Sequence, residues 1–280
     1  MSDLQSQIEK ANAFRAMHRG SSPLLLANAW DVASARLVEE AGFGAVATSS
    51  GGIAFSLGYS DGQRIPPEEM LARIGRIARA VKVPVTADVE SGYGNRPEDA
   101  ARTALAVIEA GAVGMNLEDA SGDAQHPLVE LALQLEKIRG VREAALKSKV
   151  LLVLNARTEV YLLNLGPPEK RYEQALQRLV AFRDAGADCV FAPGLKDGET
   201  IRRLVQDLKC PVNILAGPGS PSVQELQTFG VARVSLGSGP MRAALGQMKK
   251  LMEEFKTSGT YKGLEGAPNY AEMNRLMARE

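Results

Sequence analysis

The sequence predicts a single (β/α)8 barrel with an N-terminal and a C-terminal helix, and three observations carry that prediction. A helix end that turns through Gly straight into an apolar run recurs along the chain. Glu40-Ala41-Gly42-Phe43-Gly44-Ala45-Val46 is echoed by Glu109-Ala110-Gly111-Ala112-Val113-Gly114-Met115 and by Asp184-Ala185-Gly186-Ala187-Asp188-Cys189-Val190, and more loosely by the stretch from Thr228 to Val234. A second junction, Lys82-Val83-Pro84-Val85, returns as Lys209-Cys210-Pro211-Val212. Apolar residues make up 45% of the chain but aromatics only 5%, so the core is built from Ala, Val, Leu and Ile, as suits buried parallel strands under Ala-rich helices. Repeated αβ turns imply alternating strand and helix, hence a parallel sheet with right-handed crossovers. Eight such units favour a closed barrel, and no G-x-G-x-x-G opens a helix after the first strand, which argues against a dinucleotide-binding sheet.

In chain order, residues 3–18 form an amphipathic helix with Leu4, Ile8, Ala11, Phe14 and Met17 on one face, and His18 reads as a surface residue. A break at Gly20 to Pro23 precedes a first strand, Leu24 to Asn28. Asp31 then starts a helix that runs through Glu40 and closes at Gly42. Strands are expected to start near residues 24, 44, 83, 113, 150, 188, 211 and 232, with helices between them and after the last. Residues 1–256 form the barrel with its leading helix. Residues 257–280 form a Gly-rich linker and a short helix carrying Tyr270, Met273, Leu276 and Met277, which packs on the barrel or on a neighbouring subunit.

Composition narrows the function. Lys plus Arg equals Asp plus Glu at 33 each, so no net charge steers the protein to nucleic acid or to a membrane surface. Cys189 and Cys210 lie in apolar runs and read as free thiols in a reducing compartment. No run is long enough to span a membrane and the N-terminus lacks a continuous apolar stretch, so the expected location is the cytosol.

In a barrel, chemistry sits where strands end and βα loops begin. Val83 to Gly94 reads as a strand ending in Asp88 and Glu90, whose i, i+2 spacing would turn both carboxylates one way. The next strand delivers Glu118 and Asp119. Asp88, Glu90 and Glu118 converge in this reading on one divalent cation. With oxygen donors only, the cation is Mg²⁺ or Mn²⁺ rather than Zn²⁺; the bland alternative is an acidic loop with a helix cap. Arg157, one strand on, either grips a substrate carboxylate or balances Glu118 or Glu159 in an ion network. Ser50-Gly51-Gly52 offers a hydroxyl and backbone N–H groups to a carboxylate or developing oxyanion, or is a plain turn. Asn213 either meets substrate or satisfies backbone groups at the barrel mouth. His126 sits in the loop after the fourth strand, read as a loop or helix-start residue. With no G-x-S-x-G and no Cys/His pair, a nucleophilic hydrolase is not indicated.

Together, Asn28-Ala29-Trp30-Asp31, Thr48-Ser49-Ser50-Gly51-Gly52, Asp88-Val89-Glu90-Ser91-Gly92-Tyr93-Gly94, Leu117-Glu118-Asp119 and Asn155-Ala156-Arg157-Thr158 resemble the isocitrate lyase/phosphoenolpyruvate mutase superfamily, over about Pro23 to Leu245. The resemblance implies a Mg²⁺-dependent (β/α)8 barrel that cleaves or forms C–C or P–C bonds beside a 2-oxo acid or its enol. It also implies a homotetramer, a dimer of dimers, exchanging a C-terminal helix. Carried over by position, it implies Asp88 as the principal metal ligand, Glu90 as a second acid where Asp is usual, and Glu118 as a third acid acting through water. Asp61 resembles an acid near the metal's waters. Trp30, Ser50 and Gly51 resemble the surroundings of the 2-oxo acid's carboxylate and carbonyl, and Arg157 the arginine that touches substrate.

This chain departs from the superfamily after Glu118. Isocitrate and methylisocitrate lyases carry a Lys-x-Cys-Gly-His lid there, whereas Asp119 to Leu128 is short and holds no Cys or Lys. Phosphonate-handling members use a longer lid. The expected activity is therefore Mg²⁺-dependent C–C cleavage of a 2-oxo acid, such as oxaloacetate decarboxylation to pyruvate. Phosphoenolpyruvate mutase or phosphonopyruvate hydrolase-like chemistry is the alternative, and a barrel that binds a 2-oxo acid with little turnover is the third reading.

Overall fold

Short buried strands alternating with helices close into a ring whose ends meet at one residue, Ala27. A computed structural model describes residues 3–278. The elements run α1 (Asp3–Met17), β1 (Leu24–Leu26), β2 (Asn28–Ala29), α2 (Val32–Glu40), β3 (Val46–Thr48), α3 (Ser50–Ser56), α4 (Pro67–Ala80), β4 (Val85–Asp88), α5 (Pro97–Glu109) and β5 (Gly114–Glu118). They continue with α6 (Leu131–Ser148), β6 (Val153–Arg157), α7 (Pro168–Asp184), β7 (Cys189–Phe191), α8 (Gly198–Leu208), β8 (Val212–Leu215), α9 (Val223–Thr228), β9 (Arg233–Ser235), α10 (Gly239–Ser258) and α11 (Tyr270–Met277). All pairings are parallel in the order β1-β9-β8-β7-β6-β5-β4-β3-β2. Because β1 pairs with β9 and β2 with β3, the two pieces are one stave interrupted at Ala27, and the predicted eight-stave barrel is the fold observed. The central staves β4 and β5 are buried along their length, as parallel strands covered on their outer face require.

Local chemistry sets the element ends. Asp31 caps α2, its side chain accepting from Ser34 N at 2.8 Å while the Ser34 hydroxyl accepts from the Asp31 N–H. Pro opens α4, α5 and α7, where its missing N–H costs nothing. The helix α3 is not anticipated by sequence pattern. Two glycines in seven residues hide it, and it forms because Ser49 caps it, accepting from Gly52 N at 3.1 Å.

Helix α1 plugs the N-terminal mouth of the barrel. Phe14 is fully buried against the start of β5, where a Cβ on Gly114 would lie 2.7 Å from its ring, so glycine is needed there for close approach. Arg15 pairs with Asp188, which also takes Arg142 at 2.5 Å. His18 is not on the surface as its helix position suggested. It is 5% exposed, stacked edge-on to Phe14 at 4.9 Å, with Nδ1 bonded to the Phe14 carbonyl at 2.8 Å. Burial, helped by Arg233, pushes its pKa down to about 4. A histidine held below its unfolded value stabilises the fold fully above about pH 6.5, and that stability is lost as pH falls through 4, up to about 3 kcal/mol in all. Urea unfolding between pH 6.5 and 4 should therefore show falling stability, with a shallower slope in His18→Leu; an identical slope contradicts the assignment.

At the other end of the chain, Arg36 on α2 donates to the carbonyls of Leu276 and Met277, which docks α11 on α2. Helix α10 projects with Leu245, Met248, Met252 and Phe255 exposed along one stripe. Among the described residues no helix is long and apolar enough to cross a membrane.

Candidate active site

The C-terminal ends of the staves enclose a cavity of about 290 Å³ lined by Asn28, Ser49, Ser50, Gly51, Asp61 and Asp88, with Asn116, Arg157, Phe191, Leu215, Ser238 and Arg242 on its other walls. Asp88 ends β4 and is held from two sides. Its Oδ2 accepts from Ser50 N at 3.1 Å and Ser50 Oγ at 2.9 Å, and its Oδ1 from Asn116 Nδ2 at 3.3 Å. Its own N–H donates to Thr48 Oγ1 at 2.9 Å. The first turn of α3 thus aims the Ser50 amide at a carboxylate, as helix N-termini do. The Gly51 N–H, next in that turn, has no acceptor among the described residues.

The other two predicted metal acids are placed differently. β4 stops at Asp88, and Glu90 lies beyond it with φ +53°, so strand alternation does not set its direction. Glu90 Oε2 accepts from Gln63 N, while Oε1 is buried with no partner. Its carboxyl is pushed up to about 8 by burial and by the nearby Asp88 and Asp61. The turn after Glu90 is pinned by Lys137, whose ammonium donates to the Ser91 carbonyl at 2.5 Å and the Gly94 carbonyl at 3.1 Å, and which burial lowers to about 8. Glu118, at the end of β5, pairs with Arg157 Nη1 at 3.1 Å, and burial holds its pKa well above the ordinary range despite that partner. No three acidic groups among the described residues draw close enough to ligate one ion directly.

Arg157 serves the ion network and the cavity at once. Its Nη2 donates to Glu159 Oε2 at 3.0 Å, its Nε to Glu159 Oε1, and it stacks over the Phe191 ring at 5.7 Å. Burial works against its charge, but Glu118 and Glu159 outweigh it and keep it protonated. Of its five N–H donors three are engaged, and the residue is part of the cavity lining.

Asp61 faces Asp88 across Gly51, and its pKa is raised by burial and then by Asp88. A Cβ on Gly51 would stand 2.9 Å from Asp61 Oδ2. Gly51→Ala should therefore displace Asp61 and lower turnover about 10- to 100-fold with little change in thermal midpoint; unaltered steady-state rates contradict this placement. Gly52 gives its N–H to Ser49, not to the cavity, and packs against the Trp30 β-carbon. Trp30 is half-buried behind it and outside the cavity lining. Asn213 is fully buried, paired with Ser235 at 3.3 Å, beneath the cavity. Asp119 is a structural anchor. It accepts from Arg178 Nε at 2.6 Å, Thr158 Oγ1 at 2.7 Å and Glu159 N at 2.9 Å. His126 lies on an exposed loop beside Asp123 at 3.3 Å.

Sequence reasoning passed over the polar filling under the site. Arg233 Nη2 donates to Asn116 Oδ1 at 3.3 Å, as does Asn155 Nδ2 at 2.8 Å, which fixes the Asn116 amide so that its N–H₂ points at Asp88. The signal was available: Asn116, Asn155 and Arg233 each interrupt an apolar strand run.

Comparison with known proteins agrees with this architecture. The family model described as phosphoenolpyruvate phosphomutase matches residues 14–256. A crystal structure from Burkholderia cenocepacia, provisionally described as a lyase/mutase, superposes with a TM-score of 0.93 at 38% identity, covering 98% of both chains. An uncharacterised Mycobacterium tuberculosis protein is 34% identical over 83% of this chain and 84% of its own. Oxaloacetate decarboxylase 2 of Pseudomonas fluorescens is 27% identical over 91% of this chain and 88% of its own.

Proposed function

The chain belongs to the phosphoenolpyruvate phosphomutase family, within the isocitrate lyase/phosphoenolpyruvate mutase superfamily of lyases and mutases, and from that premise we propose that it is a Mg²⁺-dependent lyase cleaving a C–C bond beside a 2-oxo acid, with oxaloacetate decarboxylation to pyruvate as its reaction. One observation carries the reading: the cavity gathers Asp88, Ser50, Gly51 and Arg157, with no Cys, His or Lys among the described residues of its lining. Decarboxylation requires stabilisation of an enolate and a proton for it, with no protein nucleophile. The likeness to an oxaloacetate decarboxylase supports the same choice.

The donor chemistry fits a hard divalent ion. The acids are oxygen donors only, they raise one another's pKa values, and Glu90 Oε1 is buried without a partner. Asp88 would hold Mg²⁺, or Mn²⁺, with Glu90 and Glu118 as the further acids and Asp61 beside them. When bound, the ion supplies Lewis-acid polarisation of the 2-oxo group and positive charge for the enolate. The protein's own groups do the rest. Ser50 and Asn116 orient Asp88 before substrate arrives. Gly51 offers an N–H to the carboxylate or the developing oxyanion, and Arg157 neutralises charge on the 2-oxo acid. In this reading Asp61, a lining carboxyl whose pKa is raised by burial and by Asp88, moves the proton that the enolate carbon takes up. Phe191, Leu162 and Leu215 give the cavity an apolar wall.

The same proposal makes the protein a homo-oligomer of the dimer-of-dimers type, supported by the exposed apolar stripe of α10. It also makes it cytosolic, supported by two free cysteines. Product release from oxaloacetate, 2-methylisocitrate, isocitrate, 2,3-dimethylmalate and phosphonopyruvate, each with Mg²⁺, tests the substrate. Turnover of oxaloacetate above the others supports the reading, and turnover of phosphonopyruvate alone replaces it with P–C chemistry.

A further inference from the structure

Charge accounting inside the cavity singles out one residue that the reaction scheme leaves unused. The titratable groups in its lining are Asp61, Asp88, Arg157 and Arg242. Arg157 is already bound by Glu118 and Glu159. Arg242, on the second turn of α10, has no carboxylate partner among the described residues, yet it lines the same cavity. Its backbone N–H bonds to the Ser238 carbonyl at 3.0 Å, so the two residues stand one helical turn apart, and Ser238 lines the cavity too. The turn before them is fixed from below by Asn28, whose Oδ1 accepts from Leu236 N at 2.9 Å and Gly237 N at 2.8 Å. Arg242 is solvent-exposed, so it stands where the cavity opens to solvent, and a guanidinium without a carboxylate partner on a braced helix there is placed to meet an entering anion.

We propose that Arg242, with Ser238, reads the second anionic group of the substrate, the one carried on the carbon beside the 2-oxo acid, and so selects dianionic 2-oxo acids over pyruvate-like monoanions. This rests on the 2-oxo acid reading of the site, in which the first carboxylate and the carbonyl lie at the Asp88 end. Carboxylate and phosphonate share the required chemistry, a compact anion able to take a guanidinium fork. If the leaving group is a carboxylate, Arg242 stabilises it in the ground state. It therefore governs binding rather than the chemical step, and its loss raises KM without lowering kcat.

Steady-state kinetics on Arg242→Met and Arg242→Lys test this, with Mg²⁺ present, using oxaloacetate and phosphonopyruvate as substrates and oxalate as inhibitor. Oxalate carries no group on a third carbon, so on this proposal it does not call on Arg242. Arg242→Met should raise KM for the dianion that is turned over by about 10- to 100-fold while kcat holds and oxalate inhibition is unchanged, with Arg242→Lys recovering part of the loss. The substrate showing the effect tells carboxylate from phosphonate. An unchanged KM, or an equal loss of oxalate inhibition, overturns the proposal. If the wild type turns over neither substrate, the lyase reading fails while this inference is still read by calorimetric titration. Wild type that binds oxaloacetate more tightly than pyruvate, with Arg242→Met abolishing the difference, upholds it, and equal affinities in both proteins overturn it.

Discussion

Asp88→Asn is expected to lower turnover on the order of 10³-fold and to abolish any Mg²⁺-dependent rise in thermal midpoint, while the metal-free protein keeps its fold. The carboxylate ends β4 at the cavity wall, with both oxygens oriented by Ser50 and Asn116. Asn has the same shape and its carbonyl still accepts from Ser50; its N–H₂ forfeits the bond from Asn116, but its neutrality also ends the repulsion with Glu90 and Asp61, so the fold around β4 survives. What it lacks is the formal charge that a divalent cation requires. Circular dichroism and metal-free melting curves should overlay wild type, whereas melting with added Mg²⁺ should separate the two proteins. Activity within tenfold of wild type would contradict the assignment of Asp88.

Arg157→Met carries the second large effect, in stability as well as activity. It removes the one cation between Glu118 and Glu159, both buried. Stranding buried charge in this way costs about 3–5 kcal/mol, equivalent to roughly 10 °C in a chain of this size. The sign of the pH dependence is specific. Burial already raises the pKa of both carboxyls, and without Arg157 they are raised further. An acid whose folded-state pKa exceeds its unfolded value is most stable while protonated and loses stability as pH rises. The variant should therefore be weakest above neutrality and recover towards wild type as pH falls into the carboxylate range. Urea unfolding of both proteins at pH 5.5 and pH 8 measures this. A penalty that does not shrink at the lower pH would mean that the lost contact is packing against Phe191 rather than charge. Activity should fall by about 10²-fold or more in either case, since Arg157 also lines the cavity.

What the sequence made legible follows from which physics is local. The staves were readable because each αβ turn repeats a Gly that ends a helix directly before an apolar run, as at Gly42, Gly111 and Gly186. The acids and the arginine at strand ends were readable because a barrel collects those ends at one rim. Side-chain direction was not readable once a strand stopped. Glu90 follows Asp88 by two residues, but its left-handed backbone replaces strand alternation with a turn braced by Lys137, more than forty residues away. The helix α3 was hidden because capping by Ser49, rather than propensity, forms it over Gly51 and Gly52. His18 was misjudged because its burial depends on contact with Phe14 and the barrel floor, which no helical periodicity encodes. Of the two readings left open for Arg157, the ion network with both glutamates is the one observed, in a residue that also belongs to the cavity lining.

The most direct test of the lyase account is the rate of pyruvate release from oxaloacetate by the purified wild-type protein with Mg²⁺, measured against the same buffer without protein and against protein with excess chelator. The account predicts release well above the protein-free rate, lost on chelation, restored by adding Mg²⁺ back, and absent in Asp88→Asn. Release that persists in chelator, or that never exceeds the protein-free rate, would contradict it.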